Sequence, residues 1–385
     1  MRIAYVYDAI HPYVPGGIQK RIWELSRRLV AKGHEVTLFG MKHWEGDDVV
    51  SREGVRLWGI CPPRDLFVHG RRSISEALYV GWNLLPALSR EKFDIIDCQN
   101  FPYFPCFSAK IASVFRRSPL LITWHEVWGQ YWYQYLGRKG LFGKIVERLV
   151  ARLSDVNLTG TRHNMRGLMA LGIAETKIRL ISIGGISFSQ IQEIRPATET
   201  FDIVFAGRLV HSKGPETLIR SMHYLKESHF NATAVIVGDG PEREKLEVLS
   251  RELSIQDRIR FLGRIEDDRE VISIVKCAKL FVYPACPEGG WSIGIIEANA
   301  CGIPAVSVRT GPLGTNEVVV DGYNGLLAEQ ESAEAIAQRI RTILENEQMR
   351  AELGKNALAF AREQDWGYLA DRMIDCYSQV VRQAS

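Results

Sequence analysis

Leu280 to Tyr283 is a short apolar run that a turn rich in proline and glycine, Pro284 to Gly290, ends at once. That pattern reads as a buried parallel strand. A helical pattern then starts near Ser292, a residue type that caps helix N-termini, with Ile293, Ile296 and Ala300 spaced for one buried face. Gly302 and Pro304 stop the helix, and Val306 opens the next strand. A strand–loop–helix unit of this kind turns the free N–H groups of its helix into the loop, which suits an anion. Glu297 lies about one turn inside the helix, placed for hydroxyl groups beside an anion rather than for the anion itself.

The same grammar opens the chain. Ile3 to Tyr7 is an apolar strand, and the loop from Asp8 to Gly17 holds Pro12, Pro15, Gly16 and Gly17. A helix with Ile18, Ile22, Leu25 and Leu29 on one face follows, closes at Lys32-Gly33, and leads to a strand at Val36 to Phe39. A βαβ start predicts a nucleotide-type α/β domain, while the missing Gly-Xaa-Gly-Xaa-Xaa-Gly spacing counts against a dehydrogenase. The grammar restarts at Asp202 to Ala206, followed by Gly207-Arg208-Leu209-Val210-His211-Ser212-Lys213-Gly214. Two Rossmann-like domains follow, with residues 194–200 as their linker: 1–195 for the first and 196–364 for the second. Arg208 and Lys213, around one strand–helix loop, suit a grip on two phosphates.

With 385 residues, 46% hydrophobic and 24% charged, the composition is that of a globular protein. A net charge of +3 is too slight to predict nucleic acid as a partner. The seven cysteines show no CxxC pairing, which suits a reducing, cytoplasmic setting. No run approaches the roughly 18 apolar residues of a membrane span, so any membrane attachment is expected to be peripheral. One segment, Val127 to Leu153, leaves three readings open. Its Trp128, Tyr131, Trp132, Tyr133 and Tyr135 precede Arg138, Lys139, Lys144, Arg148 and Arg152, with Glu147 as the one acid after Arg138. The segment suits a lipid headgroup surface, an acceptor groove, or a helix packed on the sheet with a solvated basic side.

The stretch 284–305 resembles the glycosyltransferase family 4 pattern, in which two glutamates bracket seven residues before Ala-Xaa-Ala-Cys-Gly-Xaa-Pro. Glu297 matches the second glutamate, which in that family binds the nucleotide ribose. The first falls on Gly289, with Glu288 one residue early, so either Glu288 moves into place or contacts to the donor sugar differ. Gly207 to Gly214 resembles the family loop whose arginine and lysine, here Arg208 and Lys213, hold the donor diphosphate. The resemblance also makes Gly16 and Gly17 the glycine loop beside that diphosphate. His125, after the strand Leu120 to Trp124, becomes the histidine next to the donor sugar. Gly263 and Arg264 then run along the base, and Gly290, Trp291, Ser292 and Ile293 fall in the donor loop.

The resemblance implies a GT-B fold: α/β, two Rossmann-like domains facing across a cleft, with the last helix, within 365–385, crossing back to the first domain. It implies an enzyme of glycan biosynthesis that moves a sugar, with retention, from a UDP- or GDP-linked nucleotide-sugar to a hydroxyl of a glycan or lipid-linked glycan. His125, Arg208, Lys213 and Glu288 are its catalytic candidates. No Asp-Xaa-Asp follows a strand, so the cation pair is expected to replace a metal in steadying the departing diphosphate. A same-fold epimerase or synthase acting on a soluble sugar and a non-catalytic nucleotide-sugar-binding protein are the rival readings.

Overall fold

The computed structural model describes residues 1–68, 71–285, 292–309, 317–329 and 332–384. The chain forms two compact units, Met1–Gly184 with Trp366–Ser385, and Gly185–Asp365.

In the first unit the chain runs β1 (Arg2–Val6), α1 (Gly17–Ala31), β2 (Glu35–Met41), β3 (Val49–Arg52), β4 (Val55–Cys61), and the small ribbon β5 (Phe67–Val68) and β6 (Arg71–Arg72). It continues through α2 (Ile74–Leu88), β7 (Ile95–Gln99), α3 (Phe104–Arg116), β8 (Leu120–Trp124), α4 (Tyr131–Leu136) and α5 (Gly140–Val150). β9 (Val156–Thr159), α6 (Arg162–Ala170) and β10 (Ile178–Leu180) complete this stretch. The second unit starts with α7 (Phe188–Glu193), β11 (Phe201–Ala206), α8 (Pro215–Glu227), β12 (Ala234–Val237), α9 (Arg243–Glu252) and β13 (Ile259–Gly263). α10 (Asp268–Val275), β14 (Ala278–Val282), α11 (Ile293–Ala300), β15 (Ala305–Val308), β16 (Gly325–Ala328), α12 (Ala333–Glu345) and α13 (Glu347–Arg362) follow. The last helix, α14 (Trp366–Ala384), belongs to the first unit.

The first sheet has the order β10-β9-β8-β7-β1-β2-β4-β3, parallel except for the β3–β4 edge pair. The second, β13-β12-β11-β14-β15-β16, is parallel throughout. The central strands are buried along nearly their whole length, as sheets covered on both faces require. In each sheet the winding reverses once, at β1/β7 and at β11/β14, and the loops beyond the strand ends there form the natural ligand crevice.

Two apolar layers cover the first sheet. Leu84, Leu88, Cys106, Ala109, Val146, Val150 and Leu168, from α2, α3, α5 and α6, pack on one face. Ile22, Leu25 and Leu29 of α1 pack on the other beside Leu369, Met373 and Tyr377 of α14. Side-chain caps fix several starts: Ser73 accepts from Glu76 N (3.2 Å), Thr161 from Asn164 N (3.1 Å) and Ser332 from Ala335 N (3.1 Å).

The unit boundary corrects the expectation of a linker at 194–200. Those residues lie inside the second unit, which begins at Gly185. Ile191 is buried in its core, Gln192 Nε2 donates to Ala300 O, and Ala197 N donates to Ser273 O. Ile186 pairs with Asp365, so the second unit closes on its own two ends.

Candidate functional site

In the second unit, backbone hydrogen bonds stitch together the loops beyond β11, β12 and β13. Gly207 N donates to Val237 O (2.9 Å), Leu209 N to Asp239 O (2.9 Å) and Gly238 N to Gly263 O (2.8 Å). The loop after β11 also presses on the end of β14. Gly214, at φ 69°, would bring a Cβ to 1.9 Å from Pro284 O, so only glycine fits. It caps α8 with Pro215 in the first turn, which leaves the 211–213 turn at the head of that helix. Lys213 is half-buried with Nζ 5.7 Å from the Tyr283 ring centroid, and that ring stacks on Phe205 at 5.7 Å. Arg208 is exposed. This loop and the start of α11 thus sit at the carboxyl ends of two adjacent central strands.

Ser292 stands at the N-cap of α11, buried, with its hydroxyl making no capping bond. Ile293 is partly exposed at the first helical position, and Glu297 is half-buried one turn on. Behind them Asn324 fastens the helix. Its Nδ2 donates to Asn299 Oδ1 (2.7 Å) and Val318 O (2.9 Å), and its Oδ1 accepts from Val320 N (2.7 Å). Sequence reasoning missed this buried pair, although Asn299 lies within the motif at 284–305. Gly263 adopts φ 76°. Arg264 pairs with Glu266 at 2.8 Å, both well exposed. Glu288, Gly289, Gly290 and Trp291 lie outside the described residues, so the glutamate question does too.

In the first unit, His125 follows directly on β8. Its backbone N donates to Asn100 Oδ1 (3.1 Å), and its carbonyl accepts from Asn164 Nδ2 (2.9 Å). Its Nε2 lies 2.9 Å from Gln99 Oε1, while Gln99 Nε2 donates to Asp97 Oδ1 at 3.0 Å. Because the amide nitrogen is committed to the carboxylate, the amide oxygen must accept, which places the imidazole proton on Nε2 and the lone pair on Nδ1. Burial, and then the nearby Arg21 charge, push the His125 pKa down to about 3, so the ring is neutral throughout the physiological range.

Asp97 is fully buried and also accepts from Thr123 Oγ1 (2.7 Å) and Tyr377 Oη (2.6 Å). The Tyr5 hydroxyl lies 2.8 Å from that of Tyr377. Burial raises the Asp97 pKa, opposed by Arg21 and these three donors. Residues from β1, β7, β8, α1 and α14 therefore hold one histidine in one tautomer. Sequence reasoning gave His125 and none of these partners.

Gly16 caps α1, which has no acid in its first turn, so its N-terminus is open to an anion. A Cβ at Gly16 meets only the flexible Gln19 side chain, and at Gly17 nothing within 4 Å. Just past β1, Asp8 is buried against Arg72, with Glu76 Oε2 3.8 Å from the same guanidinium. Two carboxyls share one cation, and burial followed by the Asp8 charge pushes Glu76 up to about 8.

Within the segment 127–153 the two tryptophans pack on the protein, while Tyr131 and Tyr133 stay exposed. Trp132 is buried, and Trp128 packs against it at 4.6 Å and against Phe101 at 5.4 Å. Glu147 is wholly buried and anchors the segment, accepting from Trp128 N (2.7 Å), Gly129 N (3.0 Å) and Tyr103 Oη (3.1 Å). Glu147 thus ties the start of the segment, through Trp128 N and Gly129 N, to α5.

Two parallel α/β units, each with its loops gathered at a switch point, define a GT-B-type glycosyltransferase fold. Residues 15–184 match the model described as Glycosyltransferase Family 4, and residues 187–360 match that of Glycosyl transferases group 1. The chain belongs to the family 4 glycosyltransferases, and by that membership it is a sugar-transferring enzyme.

Among relatives, an uncharacterized glycosyltransferase, MJ1178 of Methanocaldococcus jannaschii, is 35% identical over 165 residues, 42% of this chain and 44% of that one. The match thus spans under half of that relative's length. A phosphatidylinositol N-acetylglucosaminyltransferase chain of Arabidopsis thaliana is 26% identical over 83% of this chain and 70% of its own. In three dimensions the chain is similar to Anabaena HepE crystallised with UDP, with a TM-score of 0.72 at 19% identity, covering 98% of this chain and 100% of that one.

Proposed function

We propose that the chain moves a sugar from a UDP- or GDP-linked nucleotide-sugar to a hydroxyl of a glycan or lipid-linked glycan, with retention and without a metal. One observation carries the reading. The tight fit of Gly214 against Pro284 sets Lys213, and with it the Arg208 loop, beside the strand that leads to α11. Two cations and a helix N-terminus at one sheet end form a seat for a diphosphate.

Arg208 and Lys213 hold the two phosphates and steady the nucleoside diphosphate as the glycosidic C–O bond breaks. Glu297 takes ribose hydroxyls, Ser292 and Ile293 head the helix at the phosphates, and Gly263 with Arg264 borders the base. His125, neutral with its lone pair on Nδ1, accepts from a hydroxyl of the donor sugar. Gly16 and Gly17 shape the phosphate side of the first unit. Glu288, Gly290 and Trp291 complete the donor loop. The complex of HepE with UDP favours a uridine donor, and the phosphatidylinositol named in the Arabidopsis relative favours a lipid-linked acceptor. Among the described residues no helix is long and apolar enough to cross a membrane. We place the enzyme in the cytoplasm, peripheral on a membrane.

Incubation of the purified chain with UDP- and GDP-sugars and candidate acceptors tests this, with the product anomer read by NMR. Transfer that survives EDTA with the donor's configuration kept is expected. A strict divalent-metal requirement or an inverted product contradicts it. Gly289, where the family pattern has a glutamate, favours the second reading, a protein that binds the donor without turnover. Donor binding with neither transfer nor hydrolysis would establish that one.

A further inference from the structure

Helices α2, α3 and α5 all pack on the same face of the first sheet, so their outer sides project from one side of the unit. Each carries an exposed apolar stripe. On α2 it is Ile74, Leu78 and Trp82, four residues apart, with Trp82 83% exposed. On α3 it is Ile111, Val114 and Phe115, with Phe115 71% exposed. On α5 it is Phe142, Ile145 and Leu149, with Phe142 56% exposed. Apolar stripes on three helices of one sheet face exceed the scattered exposure ordinary for a soluble domain.

The exposed charges that the helices themselves carry are of one sign. From α2 to α6 the helices contain two carboxylates, Glu76 and Glu147, and both are buried. Their exposed or half-exposed charged groups are cations, among them Arg116, Lys144, Arg148 and Arg166. In the second unit an exposed apolar residue keeps acidic company, as Val248 on α9 does between Glu244, Glu247 and Glu252.

We infer that the α2–α3–α5 face is a docking surface for an anionic lipid bilayer, with the apolar stripes entering the headgroup layer and the flanking cations meeting lipid phosphates. Exposed apolar rings on helices whose own exposed charges are lysine and arginine match the two forces that hold a peripheral protein on such a surface. A second copy of this chain is the poorer occupant, because pairing this face with itself sets cation against cation. The inference deepens the lipid-linked acceptor proposed above, giving the enzyme a way to lie where that acceptor lies. Its test involves no turnover.

Purified full chain is sedimented with vesicles of phosphatidylcholine alone and of phosphatidylcholine with phosphatidylglycerol. The wild type is expected to pellet with the anionic vesicles and far less with the neutral ones. A Trp82→Ser/Phe115→Ser/Phe142→Ser variant should stay in the supernatant. Lys144→Gln/Arg148→Gln should lose about fivefold in binding per cation removed. Tyr224→Ser/Val248→Ser, exposed in the second unit, should bind as the wild type does. Unchanged melting temperatures establish that the variants fold. Three results overturn the inference: no pelleting of the wild type, equal pelleting of all variants, or a wild-type dimer that the triple serine variant splits without any vesicle binding. Nucleoside diphosphate binding measured on the same samples separates failure here from failure of the donor site.

Discussion

Gln99→Leu removes the amide that joins His125 to Asp97 while nearly preserving buried volume. The wild-type amide accepts from His125 Nε2 at 2.9 Å and donates to Asp97 Oδ1 at 3.0 Å. Deleting it leaves a desolvated imidazole N–H without its acceptor, a cost of about 1–3 kcal/mol, and takes one of three side-chain donors from a carboxylate that keeps Thr123 and Tyr377. A net loss of about 2 kcal/mol lowers the melting temperature of a unit this size by roughly 4–8 °C. Catalysis should fall further than stability explains, since the ring no longer has one enforced tautomer. Transfer kcat/KM is expected to drop about tenfold or more, the effect of losing roughly 1.4 kcal/mol or more of transition-state stabilisation. Affinity for the nucleoside diphosphate alone, which has no sugar hydroxyl for His125, should stay the same. Nitrogen-15 NMR of the imidazole reads the tautomer directly. A variant that keeps a pure Nε2–H ring and wild-type kcat/KM would refute the relay.

Other perturbations test separate parts of the account. The His125 pKa is depressed from 6.5 to about 3, so the unfolded state takes up this proton first and its contribution to stability is lost as pH falls from 6.5 towards 3. Glu76 is raised from 4.5 to about 8, so its contribution is present below 4.5 and lost as pH rises through 8. Glu76→Gln should therefore flatten the alkaline side of a stability–pH curve measured by denaturant unfolding, and an unchanged curve counts against the buried carboxyl pair. Gly214→Ala forces a left-handed backbone and a 1.9 Å approach to Pro284 O, which should cost about 2 kcal/mol or more and weaken nucleotide binding with it. Wild-type melting and binding in that variant would contradict the fit of the two loops.

The parts of the chain legible in the sequence are those whose information is local. Strand, glycine turn and capped helix succeed one another within about thirty residues around Lys213 and again around Glu297, so both loops and the α/β class could be read directly. The His125 network could not, because it joins Tyr5, Asp97, Thr123 and Tyr377, whose proximity depends on strand order and on α14 returning to α1. Nor could the Asp8–Arg72 pair, 64 positions apart across the β5–β6 ribbon. The aromatic segment stayed ambiguous for a related reason. Packed and surface-facing readings stayed open because Glu147, which accepts from Trp128 N and Gly129 N, lies 19 and 18 positions further on. The apolar outer stripes of α2 and α3 drew no attention because a helix with two apolar faces reads simply as buried. The unit boundary fell early because Ile186 pairs with Asp365, a contact invisible to composition.

The central claim is that Arg208 and Lys213 seat a nucleoside diphosphate. Isothermal titration of the purified chain with UDP and GDP, repeated on Lys213→Ala and Arg208→Ala, tests it most directly. The account predicts saturable binding of one of the two nucleotides, weakened in each variant by about tenfold or more for the loss of a charge-assisted contact worth roughly 1.5–3 kcal/mol. Binding that is as tight in both variants as in the wild type, or no binding of either nucleotide by the wild type, would contradict it.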